Sequence, residues 1–70
     1  MIPSYKKLWK MLIDRDLKKK DLIEQTGLSS STVAKLTKGE HVSTAVLVKI
    51  CTTLNCDVSD IMEMVPVEEQ

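Results

Sequence analysis

The sequence predicts a compact all-α domain of five short helices. Apolar residues recur at helical spacing in five successive segments, and Ser, Asp, Gly or Pro stand at the boundaries between them. The composition agrees, because the 70-residue chain has no Phe, only two Gly, and an aliphatic, lysine-containing make-up that favours helix over sheet. A chain of this length holds one domain, which we place over residues 1–70.

The first helix is predicted from Ser4, a suitable N-cap, to Arg15. With a rotation of about 100° per residue, five apolar side chains share about 140° of arc. They are Tyr5, Leu8, Trp9, Leu12 and Ile13. This segment is therefore amphipathic, and Leu17 follows it as a buried connector.

A second, shorter helix is predicted over about 18–26, with Leu22, Ile23 and Thr26 on its inner face. Gly27 ends it, because the residue after a helix commonly takes a positive φ that glycine adopts without strain.

Ser29 is a good N-cap for a third helix over about 30–38, which Gly39 closes. Its two faces differ in chemistry. The apolar side carries Thr32, Val33 and Leu36, and the small, hydroxylated and cationic side carries Ser30, Ser31, Ala34, Lys35 and Lys38. A helix, a short turn with glycine and a second helix form a helix-turn-helix unit, here at about 18–38.

A fourth helix is predicted over about 43–54, with Ser43 or Thr44 as its cap and an apolar arc of Val46, Leu47, Ile50, Cys51 and Leu54. Asp57 can cap a fifth helix, which Pro66 stops. That helix carries Val58, Ile61, Met62 and Val65.

The charge is divided unevenly along the chain, although the net charge is zero. Residues 1–40 hold nine Lys and Arg against five acidic residues, a balance of +4. Residues 41–70 hold one Lys against five acidic residues, a balance of −4. This polarity suits a molecule with one basic working face, and a basic face favours nucleic acid as a partner.

Residues 19–38, KKDLIEQTGLSSSTVAKLTK, resemble the helix-turn-helix of the phage-repressor/Cro-type family. The matching positions are Leu22, Gly27, Leu28, Val33 and Leu36. Residues 4–15 and 41–63 resemble the other helices of that family, so the likeness covers nearly the whole chain and is closest to short, stand-alone members. Four positions depart from the family pattern: Lys18 replaces a capping Ser or Thr, Lys19 a Gln, Ile23 an Ala, and Thr26 an apolar residue.

The resemblance implies a lambda-repressor-like fold and sequence-specific binding of double-stranded DNA by a small transcriptional repressor. It implies that the third helix enters the major groove, with Ser30, Ser31, Ala34 and Lys35 at the base edges. Lysines beside that helix then hold phosphates. The DNA-binding candidates are Lys19, Lys20, Ser29, Ser30, Ser31, Ala34, Lys35 and Lys38.

Other function classes have weaker support in the sequence. The rival hypothesis is a protein-interaction module whose basic face binds an acidic protein. We expect no enzyme activity, no cofactor and no metal site, because the chain has one His, two Cys and no nucleophile–base–acid set. We also expect a cytoplasmic protein with no membrane partner, because no segment is long and apolar enough to span a bilayer.

The C-terminal segment suggests a homodimer. A chain of 70 residues buries only about 60% of its unfolded surface, so its core is marginal. Apolar residues near the C-terminus can pack under the first helix, beside Ile2, and can also form the interface with a second copy of the chain, since the two arrangements are not exclusive. These residues are Met62, Met64, Val65 and Val67.

Overall fold

The structure, a computed structural model, describes residues 1–67 and contains four α-helices and two short strands. In chain order the elements are β1 (Ile2–Ser4), α1 (Lys6–Asp14), α2 (Lys19–Thr26), α3 (Ser30–Thr37), α4 (Thr44–Leu54), a 3₁₀ turn (Val58–Asp60) and β2 (Glu63–Val65). Each predicted helix from the first to the fourth is present, with ends that differ from the prediction by at most two residues.

The core takes at least one side chain from each α-helix and from the segment after α4. Its fully buried members are Leu8, Leu22, Leu36, Ile50, Leu54 and Ile61. All are aliphatic, as a chain without Phe requires. No helix within residues 1–67 is both long and apolar enough to cross a lipid bilayer.

The starts of α3 and α4 are capped as the sequence predicts. The Ser29 hydroxyl accepts a hydrogen bond from the Thr32 N–H at 3.2 Å, and the Ser43 hydroxyl accepts from the Val46 N–H at 3.3 Å. At the start of α2 the N-cap Lys18 carries no acceptor group. The Asp21 carboxylate compensates by accepting the Lys18 N–H at 2.8 Å.

The prediction of a fifth helix is wrong. Asp57 does stand at an N-cap, but the helix it begins ends at Asp60 after one 3₁₀ turn. The chain then extends into β2, which pairs antiparallel with β1 and sets Val65 opposite Ile2. A short apolar run fits a strand as well as a helix, and here the backbone of β1 supplies the hydrogen-bond partners.

The first helix also begins later than predicted. Ser4 is the last residue of β1 and is buried, and α1 begins at Lys6 with no side-chain cap at Tyr5. Ile13 is 76% exposed, although the sequence placed it on the apolar arc. It lies at one edge of that arc, and the core contacts the other side of the arc, where the buried Leu8, Leu12 and Tyr5 lie.

Candidate nucleic-acid interface

The turn between α2 and α3 is held by backbone geometry and by one threonine. Gly27 has φ of 75°, the left-handed region, and its N–H donates to the Ile23 carbonyl at 2.9 Å. The Thr26 hydroxyl donates to the Leu22 carbonyl at 2.6 Å and accepts the Leu28 N–H at 3.2 Å. Thr26 therefore holds the turn with two hydrogen bonds that an apolar side chain at this position cannot make. These bonds fix the path of the chain from α2 towards α3.

The two faces of α3 lie as the sequence predicts. Val33 and Leu36 are 4% and 1% exposed, so this side of the helix packs into the core. The opposite side is exposed to solvent and carries Ser30, Ser31, Ala34, Lys35 and Lys38. Lys38 is the C-cap of α3 and the other four are within the helix. We call this set the exposed α3 face.

Hydroxyl groups cluster at the N-terminus of α3. The Ser29 Oγ lies 3.0 Å from the Ser31 Oγ and 3.0 Å from the Thr32 Oγ1, in addition to its capping bond. Ser29 is thus already engaged within the protein, whereas the Ser30 side chain has no hydrogen bond to any residue in 1–67. Of these serines, Ser30 has the hydroxyl most available to an outside partner.

Lys19 makes contacts that the sequence did not predict. Its Nζ donates to the Thr37 Oγ1 at 3.0 Å and lies 4.5 Å from the centre of the Trp9 ring. The Thr37 hydroxyl in turn donates to the Val33 carbonyl at 3.0 Å. An ammonium at this distance from an indole is attracted by the ring's quadrupole. Lys19 therefore joins α1, α2 and α3, the three elements that orient the exposed α3 face.

Trp9 and Thr37, the two partners of the candidate residue Lys19, are the contacts that sequence reasoning missed. Trp9 was interpreted only as part of the apolar face of α1, and it is half-buried. Thr37 lies one helical turn after Val33, and this spacing predicts the bond of its hydroxyl to the Val33 carbonyl. The spacing does not predict its second partner, Lys19 in α2. Contacts of one lysine with residues of two other helices depend on how the helices pack, so no local sequence pattern predicts them.

The remaining candidate lysines are exposed and unneutralised within the described chain. In residues 1–67 the ion pair lies elsewhere, between Lys7 Nζ and Glu63 Oε2 at 3.7 Å. Lys20, Lys35 and Lys38 are thus open to an anionic partner. Lys20 lies in the first turn of α2, where backbone N–H groups also favour anions.

Residues set aside in the sequence analysis occupy other parts of the molecule. His41 is exposed, and Cys51 and Cys56 are half-buried free thiols near the end of α4. Within residues 1–67 no three His, Cys, Asp or Glu side chains gather in a group that could hold a metal ion. In the C-terminal segment, Met64 and Val67 are 57% and 58% exposed, while Met62 and Val65 are half-buried.

Comparison with known proteins agrees with this geometry. A family model described as the Cro/C1-type helix-turn-helix DNA-binding domain matches residues 7–67. The crystal structure of transcriptional regulator VanUg in form II has a TM-score of 0.90 and 58% sequence identity to the chain. The match covers 93% of this chain and 87% of that one. No curated protein sequence matches the chain.

Proposed function

Because the chain belongs to the family of Cro/C1-type helix-turn-helix DNA-binding domains, we propose that it binds double-stranded DNA at a specific sequence and represses transcription there. The observation that carries this proposal is the exposed α3 face, which joins small, hydroxyl and cationic side chains on one side of a helix whose other side is buried. A helix with that division can enter the major groove without uncovering the core.

Base recognition is assigned to the first two turns of α3. Ser30 and Ser31 are the first two residues of α3. In helix-turn-helix proteins the N-terminal residues of the recognition helix contact base edges in the major groove. Ala34 is small enough to let the helix approach and to contact a thymine methyl. Lys35, one residue further, has an ammonium that can reach guanine O6 or N7. Lys35 is therefore the main specificity residue.

Phosphate contacts are assigned to the lysines beside α3. Lys20, in the first turn of α2, and Lys38, the C-cap of α3, are both exposed, and they fix position on the duplex without reading sequence. Lys19 divides its role, since its ammonium already binds Thr37 and covers Trp9. Ser29 supports the interface as the cap of α3.

We further propose that the chain acts as a homodimer through its apolar C-terminal segment. Met64 and Val67 expose apolar surface beside the half-buried Met62 and Val65. A single recognition helix reads few base pairs, and a dimer that reads two half-sites about one helical turn apart gains both affinity and specificity. Light scattering after size exclusion tests this; a single species of monomer mass at micromolar concentration contradicts it.

The first experiment is selection of random duplex DNA on the purified protein at near-physiological salt, with Lys35→Ala beside the wild type. We expect an enriched motif that Lys35→Ala blurs at one position, with a loss of about 1–3 kcal/mol of discrimination there. The matched control is Lys49→Ala, which removes an exposed lysine from α4, outside the helix-turn-helix, and leaves the motif unchanged.

Absence of any enriched motif, with only weak and salt-sensitive binding, contradicts sequence-specific recognition. That outcome favours the alternative in which the basic face binds an acidic protein. Repression itself is tested by placing the selected motif over a promoter and measuring transcription with and without the protein.

A further inference from the structure

The two cysteines occupy paired positions around the end of α4. Asn55 closes the helix in the left-handed conformation, with φ of 53° and ψ of 57°. The Cys56 N–H donates to the Cys51 carbonyl at 3.0 Å, and the Asn55 N–H donates to the same carbonyl. The bond from Cys56, the second residue after the helix, is the long bond of the Schellman motif, and the bond from Asn55 to the same carbonyl is that of the αL motif. Side chains at the positions of Cys51 and Cys56 frequently contact each other at such helix ends, and here both are cysteines.

The backbone hydrogen bond brings the two residues within disulfide range. With standard backbone dimensions, a 3.0 Å bond from Cys56 N to Cys51 O keeps the two Cα atoms within about 7 Å of each other. Disulfides join Cα atoms about 4.4–6.8 Å apart. Burial raises the pKa of the Cys56 thiol, and its contact with the Cys51 thiol raises it further. The helix end thus places two interacting thiols on neighbouring stretches of backbone.

Both thiols are also reachable by a small molecule. Cys51 and Cys56 are half-buried rather than enclosed, and both are free. Neither belongs to the exposed α3 face.

We propose that Cys51 and Cys56 are a thiol pair that small-molecule disulfides of the glutathione type convert reversibly into an intramolecular disulfide. One cysteine loses its proton to solvent and attacks the small disulfide, which forms a mixed disulfide and releases one small thiolate. The second cysteine then attacks the protein sulfur of that mixed disulfide and displaces the other small thiolate. The two cysteines are oxidised by two electrons, the small disulfide is reduced to two thiols, and the two protons pass to those thiols through solvent.

The spacing favours the second step over persistence of the mixed disulfide. The helix end keeps the backbones of the two cysteines side by side, so the second attack is intramolecular. An excess of small dithiol reverses both steps and restores the free pair.

The test is incubation of the reduced, full-length chain with oxidised glutathione, followed by alkylation of remaining thiols in denaturant and intact-mass measurement. We expect the main product to be lighter than the reduced chain by two hydrogen masses and to carry no alkyl group. On a denaturing gel without reductant it should migrate as a single chain. Peptide mapping should link Cys51 to Cys56. Dithiothreitol should return the mass and both alkylation sites.

Two single variants serve as controls. In Cys51→Ser and in Cys56→Ser the resolving thiol is missing, so we expect a glutathione adduct that persists on the remaining cysteine. The wild-type measurement decides the question without either variant. A stable glutathione adduct on the wild type, a disulfide-linked dimer, or two alkylated thiols after oxidation would each overturn the proposal.

Discussion

At the residue scale, Lys19 shows how one side chain can serve both the fold and the interface. A phosphate-binding lysine needs only exposure, yet Lys19 also bonds Thr37 and covers Trp9. A sequence pattern of three successive lysines treats Lys18, Lys19 and Lys20 alike, whereas the structure separates them by their neighbours. Lys19 thus connects α2 to Trp9 and Thr37, whereas the ammonium groups of Lys18 and Lys20 are exposed and have no partner within residues 1–67.

We expect Lys19→Ala to lower the free energy of unfolding by about 0.5–1 kcal/mol, because it removes an exposed cation–π contact and one hydrogen bond. The matched control, Lys20→Ala, should leave the unfolding free energy within about 0.5 kcal/mol of the wild type and reduce the salt dependence of DNA binding by about one phosphate contact. Urea titrations followed by the fluorescence of Trp9, the single tryptophan, measure the first effect. Equal destabilisation by the two variants would contradict a specific role for Lys19.

At the element scale, the helices were predictable from the sequence because their signals are local. Ser29, Gly27 and Ser43 mark boundaries through bonds to residues within one turn, and the structure has those bonds. The segment that contains β2 was not predictable in this way. Its apolar residues have helical spacing, but its partner strand lies at the other end of the chain, so pairing with β1 replaces the helix.

The exposed α3 face was predictable for the same reason, since rotation by a fixed angle per residue sorts side chains without knowledge of the fold. The contacts of Lys19 were not, because they depend on how α1, α2 and α3 pack. Periodicity thus indicates which residues of a helix can meet DNA. It does not indicate what holds that helix in place.

The start of α3 offers a test at this scale. We expect Ser29→Ala to lower the free energy of unfolding by about 1 kcal/mol, because it removes the acceptor for the Thr32 N–H. Ser30→Ala, one residue later, removes a hydroxyl that has no partner in residues 1–67 and should change stability by less than about 0.5 kcal/mol.

Thermal melts followed by circular dichroism compare the two variants, and DNA binding supplies the second reading. Ser30→Ala should weaken discrimination at one base position while it keeps its melting temperature. A melting temperature lowered equally in both variants would contradict a specific stabilising role for the Ser29 cap.

At the scale of the whole molecule, Tyr5 connects the N-terminal segment to the loop before α4. Its hydroxyl donates to the Glu40 carbonyl at 2.9 Å, and the ring is 3% exposed. Burial raises the pKa of Tyr5 above its ordinary value of 10.0. The folded state therefore holds the Tyr5 proton more tightly than the unfolded state does. Through this linkage the free energy of unfolding of the domain decreases as the pH rises in the alkaline range.

We expect the Tyr5 contribution to be fully present below pH of about 10 and to be lost as the pH rises through the folded-state pKa. Tyr5→Phe should lower stability by about 1 kcal/mol at neutral pH, because the Glu40 carbonyl loses its donor. The variant should also lose less stability than the wild type between pH 9 and roughly pH 11. Urea unfolding over that range measures both effects, and parallel alkaline losses in the two proteins would contradict the linkage.

The strand pair has a consequence for how the domain opens. Ile2 pairs with Val65, so the two strands close a loop that contains all the helices. Closing this loop costs chain entropy, and contacts within the loop offset that cost. With three residues in each strand, the pairing of β1 and β2 is weak. The strands can therefore separate while the buried leucines of the helices remain packed. Separation of the two strands then frees β1 and β2 together, so a change that disrupts one strand also releases the other and does not require α3 to move.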